Sequence, residues 1–141
     1  DIFPDHFQNR FGFLSDHAKH RVQVNGFVDL PLGFTLGVDA FWSSRYTFEA
    51  REAGPVYGEV FLEPRGSREA NETYRLDLQV AKSFQVGDLR LQLIGSVLNA
   101  LDDEQVLTVC DRVEGCGAVE LGEALTYRQP RFYEVGFRVE W

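Results

Sequence analysis

Five stretches of this chain alternate apolar and polar residues with a period of two, and that alternation limits what it can fold into. The last run is the clearest. Over residues 133–141 the odd positions are Tyr, Val, Phe, Val and Trp, and the even positions are Glu, Gly, Arg and Glu. Successive side chains of a β-strand point to opposite faces, so such a run has one apolar and one charged face. Residues 20–30 set Val22, Val24, Gly26, Val28 and Leu30 against Gln23, Asn25, Phe27 and Asp29. Residues 34–44 set Phe34, Leu36, Val38, Ala40 and Trp42 against Thr35, Gly37, Asp39, Phe41 and Ser43. Residues 73–85 and 89–100 repeat the pattern, with Tyr74, Leu76, Leu78 and Val80 in one and Leu89, Leu91, Leu93 and Val97 in the other. The expectation is an all-β chain: an antiparallel up-and-down meander of about five long strands, near residues 20–30, 34–44, 73–85, 89–100 and 131–141.

The connections sort by length. Pro31-Leu32-Gly33 makes a tight turn, with Pro fixing φ and Gly tolerating positive φ, and Val86-Gly87-Asp88 makes another. Residues 45–72 and 101–130 are long polar loops, the first holding a short strand over residues 56–62. A structureless loop of that length is uncommon in a compact domain unless it is functional. Residues 1–19 show no clean period and read as a loop with aromatic anchors. Short turns at one end of the strands and long loops at the other is the asymmetry of outer-membrane barrels, and each strand is near the roughly ten residues needed to cross a membrane at a tilt.

In a barrel of that kind, Val22, Val38, Leu78, Leu91, Val135 and Phe137 face lipid. The aromatics Tyr133, Phe137 and Trp141 belong to the closing strand and its interfacial girdle. The lumen-facing candidates are Asn25, Asp29, Asp39, Arg75, Asp77, Arg90, Gln92, Glu134, Arg138 and Glu140, expected to pair mostly with one another or with whatever fills the lumen.

The chain has 141 residues, enough for one domain, and contains no Met, so it is expected to be a processed product or a fragment. No apolar run is long enough for a transmembrane helix, which excludes helical membrane proteins only. The net charge of -8 argues against a nucleic-acid partner, because phosphate neutralisation needs clustered Lys and Arg. Cys110 and Cys116 bracket a short Gly-containing segment. A small disulfide loop in an oxidising compartment is one reading and two separate thiols the other.

Catalytic signals are weak. Asp16, His17 and His20 lie close together, but their spacing is no ligand signature, and a polar strand entrance is the simpler reading. Asp102, Asp103 and Glu104 offer hard oxygens for Ca²⁺, against a solvated acidic loop. Asp29 and Asp39 fall across the first hairpin on one side, where a glycosidase would need them to flank a sugar cleft. No Ser-His-Asp spacing, nucleophile elbow or phosphate-cradling Gly-rich loop is present. The residues point to no enzyme, cofactor or metal. Asn71-Glu-Thr matches a glycosylation sequon by pattern alone, one that stays empty in a bacterial protein.

Three motifs together resemble a known family. RLDLQVAKSF from residue 75, followed by a Gly turn and LRLQLIGSVLNAL from residue 89, resembles the penultimate hairpin of TonB-dependent outer-membrane receptors. Its end, residues 97–101, looks like their recurring VFNLFN strand end, with Leu98 and Ala100 in place of bulkier residues and Asp102 where a second Asn often stands. QPRFYEVGFRVEW, residues 129–141, looks like their C-terminal strand. HAKHRVQVNGFVDLPLGF, residues 17–34, is similar to a hairpin of the subgroup with a carboxypeptidase-regulatory-like N-terminal domain. The resemblance covers most of residues 15–141 and leaves both long loops unmatched.

The resemblance implies a barrel of about 22 strands with a plugged lumen, residing in the outer membrane of a Gram-negative bacterium. It implies energy-coupled ligand uptake through TonB. The implied partners are the N-terminal remainder of the receptor (plug and preceding strands), TonB acting through that region, and outer-membrane lipid. The ligand is not legible. Five strands cannot close such a barrel, so this chain is expected to be its C-terminal part or one half of a split receptor. The competing expectation is a secreted or surface β-sandwich that binds carbohydrate or mediates adhesion, with the same apolar faces forming a core.

Overall fold

A computed structural model describes residues 7–54 and 58–141. Residues 1–6 of the expected N-terminal loop, and residues 56 and 57 of the strand expected within the first long loop, lie outside the described residues.

The strands in chain order are β1 (Arg21–Leu30), β2 (Phe34–Ser43), β3 (Thr47–Phe48), β4 (Arg51–Ala53), β5 (Glu59–Phe61), β6 (Arg68–Glu69), β7 (Thr73–Val86), β8 (Leu89–Leu98), β9 (Val106–Val109), β10 (Ala124–Tyr127) and β11 (Phe132–Glu140). The five long ones form one sheet in the order β1-β2-β7-β8-β11. The chain is therefore all-β with a five-stranded antiparallel meander that does not close on itself. Each strand falls within one to two residues of its alternating run.

The chain divides into two compact units. The sheet unit comprises Val22–Trp42, Tyr74–Glu104 and Gln129–Trp141. The loop unit comprises the described residues up to Arg21, Ser43–Thr73 and Gln105–Arg128.

Within the sheet unit, register fixes the faces. Tyr133, Val135, Phe137 and Val139 of β11 stand opposite Val97, Gly95, Leu93 and Leu91 of β8, while Glu134, Arg138 and Glu140 stand opposite Ser96, Gln92 and Arg90. β7 continues both rows, with Leu78 opposite Val97 and Phe84 opposite Leu91, and with Gln79 opposite Ser96 and Ser83 opposite Gln92. A one-residue slip would exchange the faces of a whole strand.

The β1–β2 turn takes left-handed backbone at two successive residues, Leu32 (φ 65°) and Gly33 (φ 77°). That twist matches the flanking strands of a hairpin. At Gly33 a Cβ would stand 3.0 Å from the Ser83 carbonyl oxygen, so both the φ and the close approach favour glycine there. Pro31 and Gly33 suit the turn, while the left-handed conformation of a leucine between them has no local sequence signal.

The loop unit corrects the expectation of long irregular loops. β3 pairs with β6, β4 with β5, and β9 with β10. Tyr46, Phe48, Ala50, Phe61 and Cys110 form a small buried core. Thr47, Glu49 and Gln105 are buried with them. The strands are only two to four residues long, too short to show a period, and β3/β6 and β9/β10 also join segments well separated in sequence.

Candidate functional site: the polar face of the sheet

The candidate site is the polar face of the five-stranded sheet. β1 and β2 contribute Gln23, Asn25, Asp29, Thr35 and Asp39, β7 contributes Arg75, Asp77 and Gln79, and β8 and β11 contribute Ser96 and Glu134. The surface is hollowed into a trough of about 650 Å³, lined by Asn25, Phe27, Asp39, Asp77, Gln79 and Glu134 among others. A patch of side chains from five strands converges there because each strand donates every second residue.

The polar groups in the trough are partly paired. Arg75 Nη2 lies 3.2 Å from Asp39 Oδ2, and its Nε lies 3.0 Å from Asp77 Oδ2, so one guanidinium bridges two carboxylates on adjacent strands. Gln23 Nε2 reaches Asp39 Oδ1 at 3.5 Å. Gln79 Nε2 donates to Ser96 Oγ at 3.2 Å. Asp29 lies nearer the turn and accepts a 2.7 Å hydrogen bond from Thr35 Oγ1. Asp29 and Asp39 thus share a face but hold different partners, and they do not flank a common cleft.

Farther toward the short turns the face becomes basic. Arg90 and Arg138 stand on either side of Glu140, at 3.9 and 4.0 Å, around a hollow of about 180 Å³ that Ser83 and Gln92 also line. Both arginines are about two-thirds exposed, and such contacts in water contribute little stability. All ten lumen-facing candidates therefore lie on this face. Asp39, Arg75 and Asp77 are ion-paired at one level, Arg90, Arg138 and Glu140 at another.

The opposite face is apolar and uncovered. Val135 is 81% exposed, Phe137 82% and Trp141 95%. Tyr133, Phe137 and Trp141 follow one another along this side of the last strand. One charge interrupts the face. Lys82 stands opposite Leu93, which in turn stands opposite Phe137.

The end of β8 is held by a polar latch. Asn99 (φ 50°) is 5% exposed, and its Nδ2 donates to the Gln129 carbonyl at 2.9 Å. Its backbone N–H donates to Asp77 Oδ1 at 2.9 Å. Asp102 (φ 54°) accepts the Arg131 N–H at 2.9 Å and pairs with its guanidinium at 3.3 Å. Asn and Asp tolerate left-handed backbone better than most residues, which accounts for both positions. Asp102 thus fastens the start of the last strand, a role that a solvated acidic loop did not foreshadow. Asp103 enters through its carbonyl, which accepts from Asn99 Nδ2 at 3.4 Å.

In the loop unit, Cys110 and Cys116 are joined in a disulfide, with Cα atoms 5.8 Å apart. The bond ties off a small ring whose Asp111 and Arg112 meet the first long loop. Arg51 pairs with Asp111 and, at 2.7 Å, with Glu59, while Arg112 lies 3.6 Å from Glu59. Burial opposes the Arg51 charge, but the hydrogen bond and charge of Asp111, with Glu59 behind, outweigh it and hold the guanidinium above its ordinary value.

Glu49 is the buried carboxylate that sequence reading missed. Ser15 Oγ donates to it at 2.9 Å, the Gly66 N–H at 3.1 Å, and Arg65 lies 3.8 Å away. Its only sequence signal is a glutamate in a stretch where Arg65 and Arg68 follow. Glu63 is tied by Arg68 and by the Ala50 N–H, both at 2.7 Å. Burial would raise the Glu63 carboxyl, yet these donors and Ser67 hold it below its ordinary value. Burial, with the nearby Asp16 charge, pushes the Tyr46 phenol up.

Asp16, His17 and His20 do not converge. His17 stacks on Phe13 with ring centres 4.7 Å apart, Asp16 donates its N–H to the Thr47 carbonyl, and His20 pairs through its backbone with Ser44. Among the described residues, no group of three or more His, Cys, Asp and Glu is placed to hold a metal ion. No helix among the described residues is long and apolar enough to cross a membrane, which says nothing of strands.

No protein family, curated protein or solved structure matches the chain.

Proposed function

We propose that this chain is a C-terminal wall segment of an outer-membrane β-barrel, of the TonB-dependent receptor kind, whose whole molecule takes up a ligand with energy supplied through TonB. The observation that carries the reading is the division of the sheet. One face is an exposed apolar surface broken by Lys82, and the other is a hollowed face of hydrogen-bonded and ion-paired polar groups. A sheet in water needs its apolar face covered by a core. A membrane strand needs the reverse, apolar side chains toward lipid and polar ones toward a lumen.

Both edges, β1 and β11, carry unpaired backbone groups, which a membrane sheet must pair with further strands. The receptor's other strands would complete the wall, and its plug would meet the trough. The role of this segment is structural and interactive, with no catalytic step. The three-motif resemblance adds the receptor class.

The test uses alternate residues of the last strand. In the protein carrying this chain, reconstituted in vesicles, cysteines are introduced by Glu134→Cys and Val135→Cys and labelled with an environment-sensitive fluorophore. Brominated lipid should quench the label at 135 strongly and the label at 134 weakly. Equal quenching, or a position 135 that never reacts because it is packed in a protein core, would favour the sandwich over the barrel.

A further inference from the structure

Lys82 is the charged residue that the apolar face does not explain. It occupies the same row as Leu93 and Phe137, where hydrocarbon or protein core would oppose a charge. Its amino group does not lie among those side chains. It donates to the Leu32 carbonyl in the β1–β2 turn, and it sits 4.2 Å from the centre of the Phe34 ring and 5.6 Å from that of Phe84. The Lys82 backbone already lies level with that turn, and its long stem lays the ammonium across the turn, away from the apolar row.

That reach relieves only part of the desolvation. An ammonium has three donors, and the Leu32 carbonyl takes one. The aromatic faces attract the cation but accept no strong hydrogen bond. Among the described residues, no carboxylate lies within ion-pair distance of Lys82. Every other Lys or Arg on the long strands whose ion pair is known, Arg75, Arg90 and Arg138, stands on the polar face beside an acid. The counter-charge for Lys82 therefore has to come from outside the sheet, on the apolar side and at the level of a turn.

We infer that Lys82, with Phe34, Phe84 and the Leu32 carbonyl, forms a binding site for the phosphate of an anionic phospholipid headgroup in the leaflet at the short-turn end. The inference rests on the barrel reading above. The phosphodiester oxygens would accept the two remaining ammonium protons, and acyl chains would lie over Leu93 and Phe137. A net-negative lipid fits better than a zwitterionic one, because the latter carries its own ammonium to compete for the phosphate.

The experiment places the full-length protein carrying this chain in nanodiscs of phosphatidylcholine with a minority of phosphatidylglycerol. Co-purifying lipids are counted by native mass spectrometry. The expected result is about a fivefold enrichment of phosphatidylglycerol on the wild type. Lys82→Gln should lose it and Lys82→Arg should keep it. Absence of enrichment on the wild type, or enrichment that survives Lys82→Gln, overturns the site. If Lys82→Gln fails to fold, wild-type enrichment is read against glycerol phosphate added in solution. Competition by that soluble phosphate would show an anion site with no claim on lipid. The alternating fluorophore test separates the two levels. Quenching at position 135 without lipid selectivity defeats this site alone, whereas loss of quenching at 135 defeats the barrel.

Discussion

Val135 and Phe137 in the sheet are more than four-fifths exposed, while Glu49 in the loop unit is 1% exposed. The two units thus reverse the usual assignment of apolar and charged residues. The sheet has long strands, two open edges and almost no interior. The loop unit has strands of two to four residues but a real interior, with Tyr46, Phe48, Phe61 and Cys110 around a buried carboxylate. The comparison separates two sources of order. The loop unit is fixed by its own contacts and by a covalent ring. The sheet has its inner strands paired, but its two edges and its apolar side chains are left uncovered.

The contrast is broken most sharply at Glu49. Glu49→Ala leaves Ser15 Oγ and the Gly66 N–H without their acceptor and Arg65 without its counter-charge. Removing one partner of a buried charge pair costs roughly 3–5 kcal/mol. Hydrogen exchange should show the loop unit opening while the β7, β8 and β11 amides stay protected. Loss of protection in both at once would show that the sheet depends on the loop unit.

The next largest effect is expected on the apolar face. On the proposed barrel reading, Phe137→Arg should weaken membrane assembly by about 2–4 kcal/mol, measured by equilibrium unfolding from bilayers. Arg138→Gln, one residue along and on the other face, should change it little. Equal sensitivity at both positions would contradict the division of the faces.

Cutting the ring comes third. The double replacement Cys110→Ser and Cys116→Ser should destabilise the loop unit by about 2 kcal/mol on the chain-entropy model for so short a loop. Limited proteolysis between residues 110 and 123 reads the loss directly.

Acid gives the smallest and most local effect. The Glu63 carboxyl is held below its ordinary 4.5, so the unfolded chain takes up its proton first as pH falls. Its contribution is complete above that ordinary value and is lost as pH drops through the lower folded one. Glu63→Gln should flatten this part of the loop unit's pH–stability curve.

The long strands were legible because a period of two survives in any single strand. Tyr133 to Trp141 carries its two faces whether or not β8 lies beside it. The polar face was legible for the same reason, down to Asp39, Arg75 and Asp77 sharing a side. The bridging of two carboxylates by Arg75 was not, because that depends on register between strands. The loop unit was opaque because its contacts join residues such as Ser15, Glu49 and Gly66, which no local period links. Asn99 and Asp102 lie between these cases. The motif at the end of β8 was visible, and only the structure supplied its reason, two left-handed residues whose side chains fasten the chain on either side.

The close approach of Gly33 to Ser83 has a geometric consequence. The β1–β2 hairpin turns back at the level of Ser83, whereas β7 runs on to Val86 before its own turn. At about 3.3 Å per residue this offsets neighbouring hairpins by roughly 10 Å along the strands. An offset of that kind inclines strands to the axis of any cylinder they join, and its sum around the circumference, with the strand number, sets the cylinder's width. A single glycine in a turn thereby bears on the width of any cylinder this sheet could enter.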